Sequence, residues 1–234
     1  MTLTGYRTSA CRRSFSLIEL LVVLCIFITV TTISLPAFTR LAKGGGVTSA
    51  SRTLCSKING ARAYALSHRS YVALVFPTDP SSESGVPDNL RYQALRPAEV
   101  IPVSGATSPP FYTFSKWIDG ESWSRMPQGI FFGGPIYDIN LAANGMASFG
   151  NPLKVQSCDF SDLSSTTTSV NIANCLVFTP AGTIAGGSSN PLPFLMGVWE
   201  GGIEAGFKPK PTNRSNMLKI VVNQFTGRAS CIGR

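Results

Sequence analysis

Arg12-Arg13-Ser14-Phe15-Ser16-Leu17-Ile18-Glu19 opens the stretch that decides the fold, and Leu20-Leu21-Val22-Val23-Leu24-Cys25-Ile26-Phe27-Ile28-Thr29-Val30-Thr31-Thr32-Ile33-Ser34-Leu35-Pro36 completes it. From Phe15 to Leu35 a helix rises roughly 30 Å at ~1.5 Å per residue, about the thickness of a bilayer's hydrocarbon core. The run carries one charge, Glu19. A carboxylate costs about 2.5–3.5 kcal/mol at the bilayer centre and less at an edge that water reaches, so something must offset it. Arg7, Arg12 and Arg13 precede the run with no acidic residue among them. Cytoplasmic flanks carry the excess of Lys and Arg, so the amino terminus is expected inside and everything after Pro36 outside.

Those residues resemble the prepilin amino terminus shared by type IV pilins and type II secretion pseudopilins: a short basic leader, a small residue, a methylatable residue, then Thr-Leu-Ile-Glu and an apolar helix with a proline near its end. The resemblance implies cleavage between Ser14 and Phe15 by a prepilin peptidase, with methylation of the new amino group of Phe15. It places Glu19 and Pro36 at the family's assembly carboxylate and helix-bending proline. Ser14 stands where Gly is usual and Ser16 where Thr is. It further implies a bacterial inner-membrane protein with a single pass, a periplasmic carboxy-terminal head and other pilin or pseudopilin subunits as partners. Physical chemistry supplies the same role for Glu19, since cleavage leaves a cation on Phe15 that can neutralise the carboxylate of a neighbouring subunit.

Other readings of the segment are weaker. An ordinary single-span anchor tolerating one acid leaves the flanking pattern unexplained. Arg12-Arg13-Ser14-Phe15-Ser16-Leu17 has the look of a twin-arginine signal, which would deliver an exported, membrane-anchored enzyme. A cleavable secretory peptide needs a small-x-small site, and Ser34-Leu35-Pro36-Ala37 fits poorly.

The length of 234 residues and the 44% hydrophobic share suit one anchored domain with a real core. Three of the 20 basic residues lie in the leader, so its removal takes the formal charge from +8 to +5. That balance permits contact with anionic polymers without requiring it. Of six cysteines, Cys11 leaves with the leader and Cys25 lies in the apolar run, so Cys55, Cys158, Cys175 and Cys231 remain in the head. An even number in an exported head is consistent with two disulfides. Cys158 and Cys175 bracket a Ser/Thr-rich insert with little apolar surface, and closing it stabilises by roughly 3 kcal/mol, so these two are paired. Cys55 is then left for Cys231, which requires the closing hairpin to lie beside the helix.

The expected organisation is a leader over 1–14, a transmembrane and assembly helix over 15–43, a glycine hinge or break at 44–46 and a head over 47–234. Val47, Ala50, Leu54, Ile58, Ala61 and Ala65 recur every three or four residues, so an amphipathic helix is expected over 47–67 with this stripe against the head's sheet. From 70 onward short β-rich runs alternate with Gly, Pro, Ser and Asn. Strands are expected at Tyr71–Phe76, Arg91–Leu95, Phe111–Phe114, Gly129–Phe132, Cys175–Phe178, Leu218–Val222 and Gln224–Ser230, and loops at Pro77–Asn89 and Ser104–Pro110. A helix followed by strands without alternation argues α+β with an antiparallel sheet.

The head is similar in its order of motifs to the GspH/FimT-like pseudopilins: Ala61-Arg62-Ala63-Tyr64-Ala65 before Tyr71-Val72-Ala73-Leu74-Val75-Phe76, then Met126-Pro127-Gln128-Gly129-Ile130, Phe178-Thr179-Pro180-Ala181-Gly182, and Ile220-Val221-Val222 before Thr226-Gly227-Arg228. The resemblance implies the end of the long helix, a Pro-x-Gly entry to a strand, a turn and a closing hairpin. Two inserts, Pro77–Pro110 and Asn140–Asn174, have no counterpart in it. Some FimT-like pilins bind DNA through a Gly-Arg-x-Arg pattern near the carboxy terminus. Here Gly227-Arg228 is followed by Ala229-Ser230, and only Arg234 stands in for the second arginine, while phosphate contact usually needs several cations.

No enzyme, cofactor or metal site is expected. With His68 as the only histidine a Ser-His-Asp or Cys-His constellation lacks its base, and His68 itself suits the end of a helix. Asp159 and Asp162 are too few for a calcium site that takes six or more oxygens. Glu121 beside Trp117 and Trp123 suggests sugar binding no more than packing.

Overall fold

The computed structural model describes residues 17–78, 83, 85–103, 111–133, 153–162, 169–185, 194–203, 209–212 and 216–232, the side chains of 35–44 and 173–174 excepted. Helix α1 (Leu17–His68) comes first. The strands that follow are β1 (Tyr71–Val75), β2 (Ala94–Pro102), β3 (Tyr112–Trp117), β4 (Ser124–Arg125), β5 (Ile130–Gly133), β6 (Leu153–Asp159), β7 (Ser169–Phe178), β8 (Phe194–Ile203), β9 (Pro209–Pro211), β10 (Met217–Val222) and β11 (Ala229–Ile232). The chain divides into two units at Ala42/Lys43. The class is α+β, as the sequence indicates.

In the first unit, Leu17–Ser34 is long and apolar enough to cross a membrane, and its large side chains are exposed. Thr29, Thr31 and Thr32 lie within it, and their hydroxyls donate to the carbonyls of Ile26, Phe27 and Thr29 at 2.7–2.9 Å. These bonds satisfy hydroxyl protons that hydrocarbon could not.

The second unit is built on the stripe read from the sequence. Val47, Ala50, Leu54, Ile58, Ala61 and Ala65 are all buried, and they share one core with Val72, Leu74, Phe76, Leu176, Phe178, Met196, Val198, Ile220 and Val222. Each fully buried Leu or Ile there stabilises by about 1.5–3 kcal/mol. The expected glycine break is absent, because Gly44, Gly45 and Gly46 are all helical. Gly46 serves packing instead: a Cβ on it would stand 3.4 Å from the Ile130 side chain of β5. Burial against a sheet offsets the ~1 kcal/mol that glycine costs a helix.

Five strands close into a small barrel. β1 pairs with both β2 and β7, β2 with β3, β3 with β6, and β6 with β7. All of these pairings are antiparallel except β3 with β6, which runs parallel at Tyr112↔Val155 and Thr113↔Gln156. Alternation then explains why β1 and β7 read as unbroken apolar runs. Val72, Leu74, Leu176 and Phe178 face the helix side, while Ala73, Val75, Cys175 and Val177 join a second core with Val100, Val155, Phe160 and Ile172. A second sheet, ordered β11-β10-β8-β5 with β9 on β8, carries Phe132, Met196 and Ile220 into the helix-side core.

The loop before β2 is ordered by a buried ion pair. Glu83 is fully buried and Arg91 nearly so, 3.8 Å apart. Arg91 also donates to the carbonyls of Glu83 and Val86 at 3.0 and 3.1 Å and to the Asp88 carboxylate at 3.2 Å. Arg91 therefore shapes a loop that includes a 3-10 turn at Asp88–Leu90, and the strand expected from Arg91 begins at Ala94 instead. The segments read as inserts supply barrel walls, β2 from one and β6 with the start of β7 from the other. The expected loop at Ser104–Pro110 lies outside the described residues.

Candidate functional site

Two regions bear on function, the amino-terminal segment and the junction where helix, turn and closing hairpin meet. Ser14 and Phe15 lie outside the described residues. Glu19 is exposed in the first turn of α1. Pro36 lies within α1, whose helical backbone continues through it.

At the junction, Arg62 reaches from the helix to two turns. Its Nε donates to the carbonyl of Gly182 at 3.2 Å and to that of Thr226. The first turn is the Phe178-to-Gly182 motif, closed by Gly182 N–H to Thr179 O at 2.8 Å, with Gly182 at φ 74°. The second is organised by Asn223, whose Oδ1 accepts from the N–H groups of Phe225 and Thr226 at 3.0 and 2.9 Å, and it ends on Gly227 at φ 63°. Asparagine and glycine are the residues such turns select. The strand expected over Gln224–Ser230 is therefore a turn followed by β11. The Pro127-Gln128-Gly129 entry is also a turn, with Ile130 N–H to Pro127 O at 3.0 Å and Gly129 at φ 76°.

Beyond the turn, β11 lies along the same helix. The Asn59 amide brackets Ala229, accepting from its N–H at 3.1 Å and donating to its carbonyl at 3.3 Å. One turn earlier, Cys55 Sγ is 2.6 Å from Cys231 Sγ. Burial and the Cys231 contact push the Cys55 thiol up to about 12. The structure thus brings together the pair reached by elimination. Cys158 and Cys175 are both buried and, like Cys55 and Cys231, carry free thiols in the structure. Cys158 stands opposite Val170 and Cys175 opposite Leu153. The ladder between them is irregular, shifting register between Leu153 and Val155 and again between Val155 and Cys158, and both thiols lie near the Val155 backbone. The described parts of the Ser/Thr-rich insert, Asp159 and the residues from Ser169, are held by pairing of β6 with β7.

The remaining candidates have structural partners. Asp159 accepts from Ser161 N–H at 2.8 Å, which holds its carboxyl below the usual range, and Asp162 pairs with Arg96 at 2.6 Å. Arg96 also lies over Trp117, 4.5 Å from the ring centroid. Trp117 stacks edge-on with Trp123 and Phe160 and donates to Asp159 O at 2.8 Å. Glu121 pairs with Lys57 at 2.5 Å. His68 stacks on Tyr64 with centroids 3.8 Å apart. Arg228 is exposed, and Arg234 lies outside the described residues. Among the described residues no three metal-ligating side chains converge. Asn59 was not singled out in the sequence, and Arg62 entered only as part of the Ala61–Ala65 motif.

The architecture, an apolar amino-terminal helix whose later turns pack on an α+β head, has the fold class expected from the sequence. No family model and no curated protein matches the chain. Among solved structures it is similar to the type IV minor pilin FimU of Pseudomonas aeruginosa, at 13% identity over 81% of this chain and 90% of that one, with a TM-score of 0.38. It is also similar to the minor pseudopilin EpsH of the Type 2 Secretion System of Vibrio cholerae, at 8% identity over 80% and 97%, with a TM-score of 0.41. At that level of superposition the likeness is one of broad outline, and no functional step is taken from it.

Proposed function

We propose that this chain is a minor subunit of a pilin-like filament, either a type II secretion pseudopilus or a type IV pilus. The observation that carries the reading is Glu19, the one charged residue in an 18-residue apolar span, exposed in the first helical turn. A prepilin peptidase cuts between Ser14 and Phe15 and methylates Phe15. The freed amino group of one subunit then neutralises Glu19 of the next, apolar helices bundle, and heads stay on the periplasmic side of the inner membrane. The role is mechanical and needs no cofactor. Desolvating an unpaired carboxylate is costly, so a helix bundle that supplies its counter-ion is favoured over one that does not.

Mass spectrometry of the mature amino terminus tests the processing, with a methylated Phe15 expected. A start near Ala37 would overturn it. Glu19→Ala is expected to be cleaved and membrane-inserted yet absent from sheared filaments, and normal incorporation would falsify the pairing role.

A further inference from the structure

The last strand is held in an unusual way. β11 pairs with β10 over only four residues, Lys219↔Ile232 to Val222↔Ala229. Three of its four side chains are exposed, and only Ala229 packs against the core. An edge strand that buries so little has weak hold of its own. Its fastening comes from the helix. Ser51, Cys55, Asn59 and Arg62 recur every three or four residues along one stripe of α1, and each meets the closing hairpin. Ser51 O accepts from Cys231 Sγ at 3.5 Å, Cys55 Sγ approaches Cys231 Sγ at 2.6 Å, Asn59 brackets Ala229, and Arg62 holds Thr226 O.

We propose that Cys55 and Cys231 form a thiol–disulfide latch whose oxidation state sets whether β11 stays docked on the helix. Oxidation forms one bond between the two sulfurs. Two electrons and two thiol protons pass to a disulfide-bearing oxidant, which leaves as two thiols. Cys231 is exposed and Cys55 half-buried, so exchange enters at the Cys231 sulfur. Attack requires thiolate, and a Cys55 thiol held above its ordinary value contributes little of it at neutral pH. Reduction leaves Asn59, Ser51 and four ladder pairs to hold the strand. When these give way, the Lys219–Val222 edge of β10 is uncovered. The inference does not rest on the filament reading, because it requires only a disulfide-bearing oxidant.

The test uses the full chain in detergent, equilibrated with oxidised glutathione or with dithiothreitol. Non-reducing peptide mapping of the oxidised form is expected to link Cys55 to Cys231. Amide exchange within Ala229–Ile232 is expected to rise tenfold or more on reduction, while β1 and β7 keep their protection. The Cys55→Ser/Cys231→Ser variant should exchange like the reduced chain under both conditions. Both thiols recovered free after oxidation, a link from either to Cys158 or Cys175, or equal exchange in the two redox states would overturn the latch.

Discussion

Gly227 stands so close to Gly182 that a Cβ on the former would overlap the carbonyl oxygen of the latter. Both residues have positive φ, at 63° and 74°. The closing hairpin and the turn after β7 thus touch backbone to backbone, and the carbonyl involved is one that Arg62 holds. Gly227→Ala should therefore destabilise by about 3 kcal/mol or more, combining the left-handed backbone with a contact that no flexible side chain can relieve. Gly120, at φ 78° with nothing near its Cβ position, is the control and should lose only about 1 kcal/mol on the same change. Urea midpoints of the two variants decide it, and equal losses would show that the contact is unimportant.

Arg91→Met should be the most damaging single change in the barrel loop. It removes the guanidinium from beside the buried Glu83 carboxylate, which still accepts from the Thr78 N–H at 2.6 Å, and costs about 3–5 kcal/mol. Adding Glu83→Gln to Arg91→Met should recover part of the loss, since the buried charge is then gone. A double variant no more stable than the single would show that Arg91 acts through the Glu83 and Val86 carbonyls and Asp88 rather than through the Glu83 charge.

Cys158 and Cys175 should be inert in the native chain. Burial pushes the Cys158 thiol up to about 12 and Cys175 well above its usual value, with the Glu83 charge adding to both. Folded values above the unfolded one mean that the stability they contribute is complete below about pH 8.5 and is lost as pH rises through the folded values. At pH 8 a thiol reagent should label neither until denaturant is added, and then both. Failure to label in denaturant without reductant would show instead that the two form the disulfide expected from the sequence.

Asn59→Ala should cost about 1 kcal/mol, because the Ala229 N–H and carbonyl it leaves are at a surface that water reaches. The urea midpoint is expected to fall with the slope unchanged. A loss above about 3 kcal/mol would mean that Asn59 supports more than the β11 edge.

Much of this arrangement was legible because periodicity records burial. The stripe from Val47 to Ala65 is the helix face in the core, and Tyr71 to Val75 is a strand almost to the residue. What escaped was of two kinds. β6 and β8 contain Lys154, Gln156, Ser157, Gly197, Gly201 and Gly202, residues that weaken any local strand signal and are carried by neighbours on both sides. The glycines at 44–46 misled in the other direction, because their cost to a helix is local while the room Gly46 makes for Ile130 is tertiary. At the candidate site, the pairing of Cys55 with Cys231 followed from counting cysteines, but the placement of Cys158 and Cys175 depended on register, which spacing does not encode.

Closure of the barrel also sets the order in which the head can assemble. β1 is the first strand made, yet its partner β7 ends at Phe178 and the helix stripe is not fully covered until β10 ends at Val222. Contacts this distant in sequence are slow to form, because the intervening chain must first be gathered. A chain delivered amino terminus first would carry a bare apolar helix face through most of its synthesis. The core on the helix face is therefore completed by β7, β8 and β10 rather than by any early hairpin.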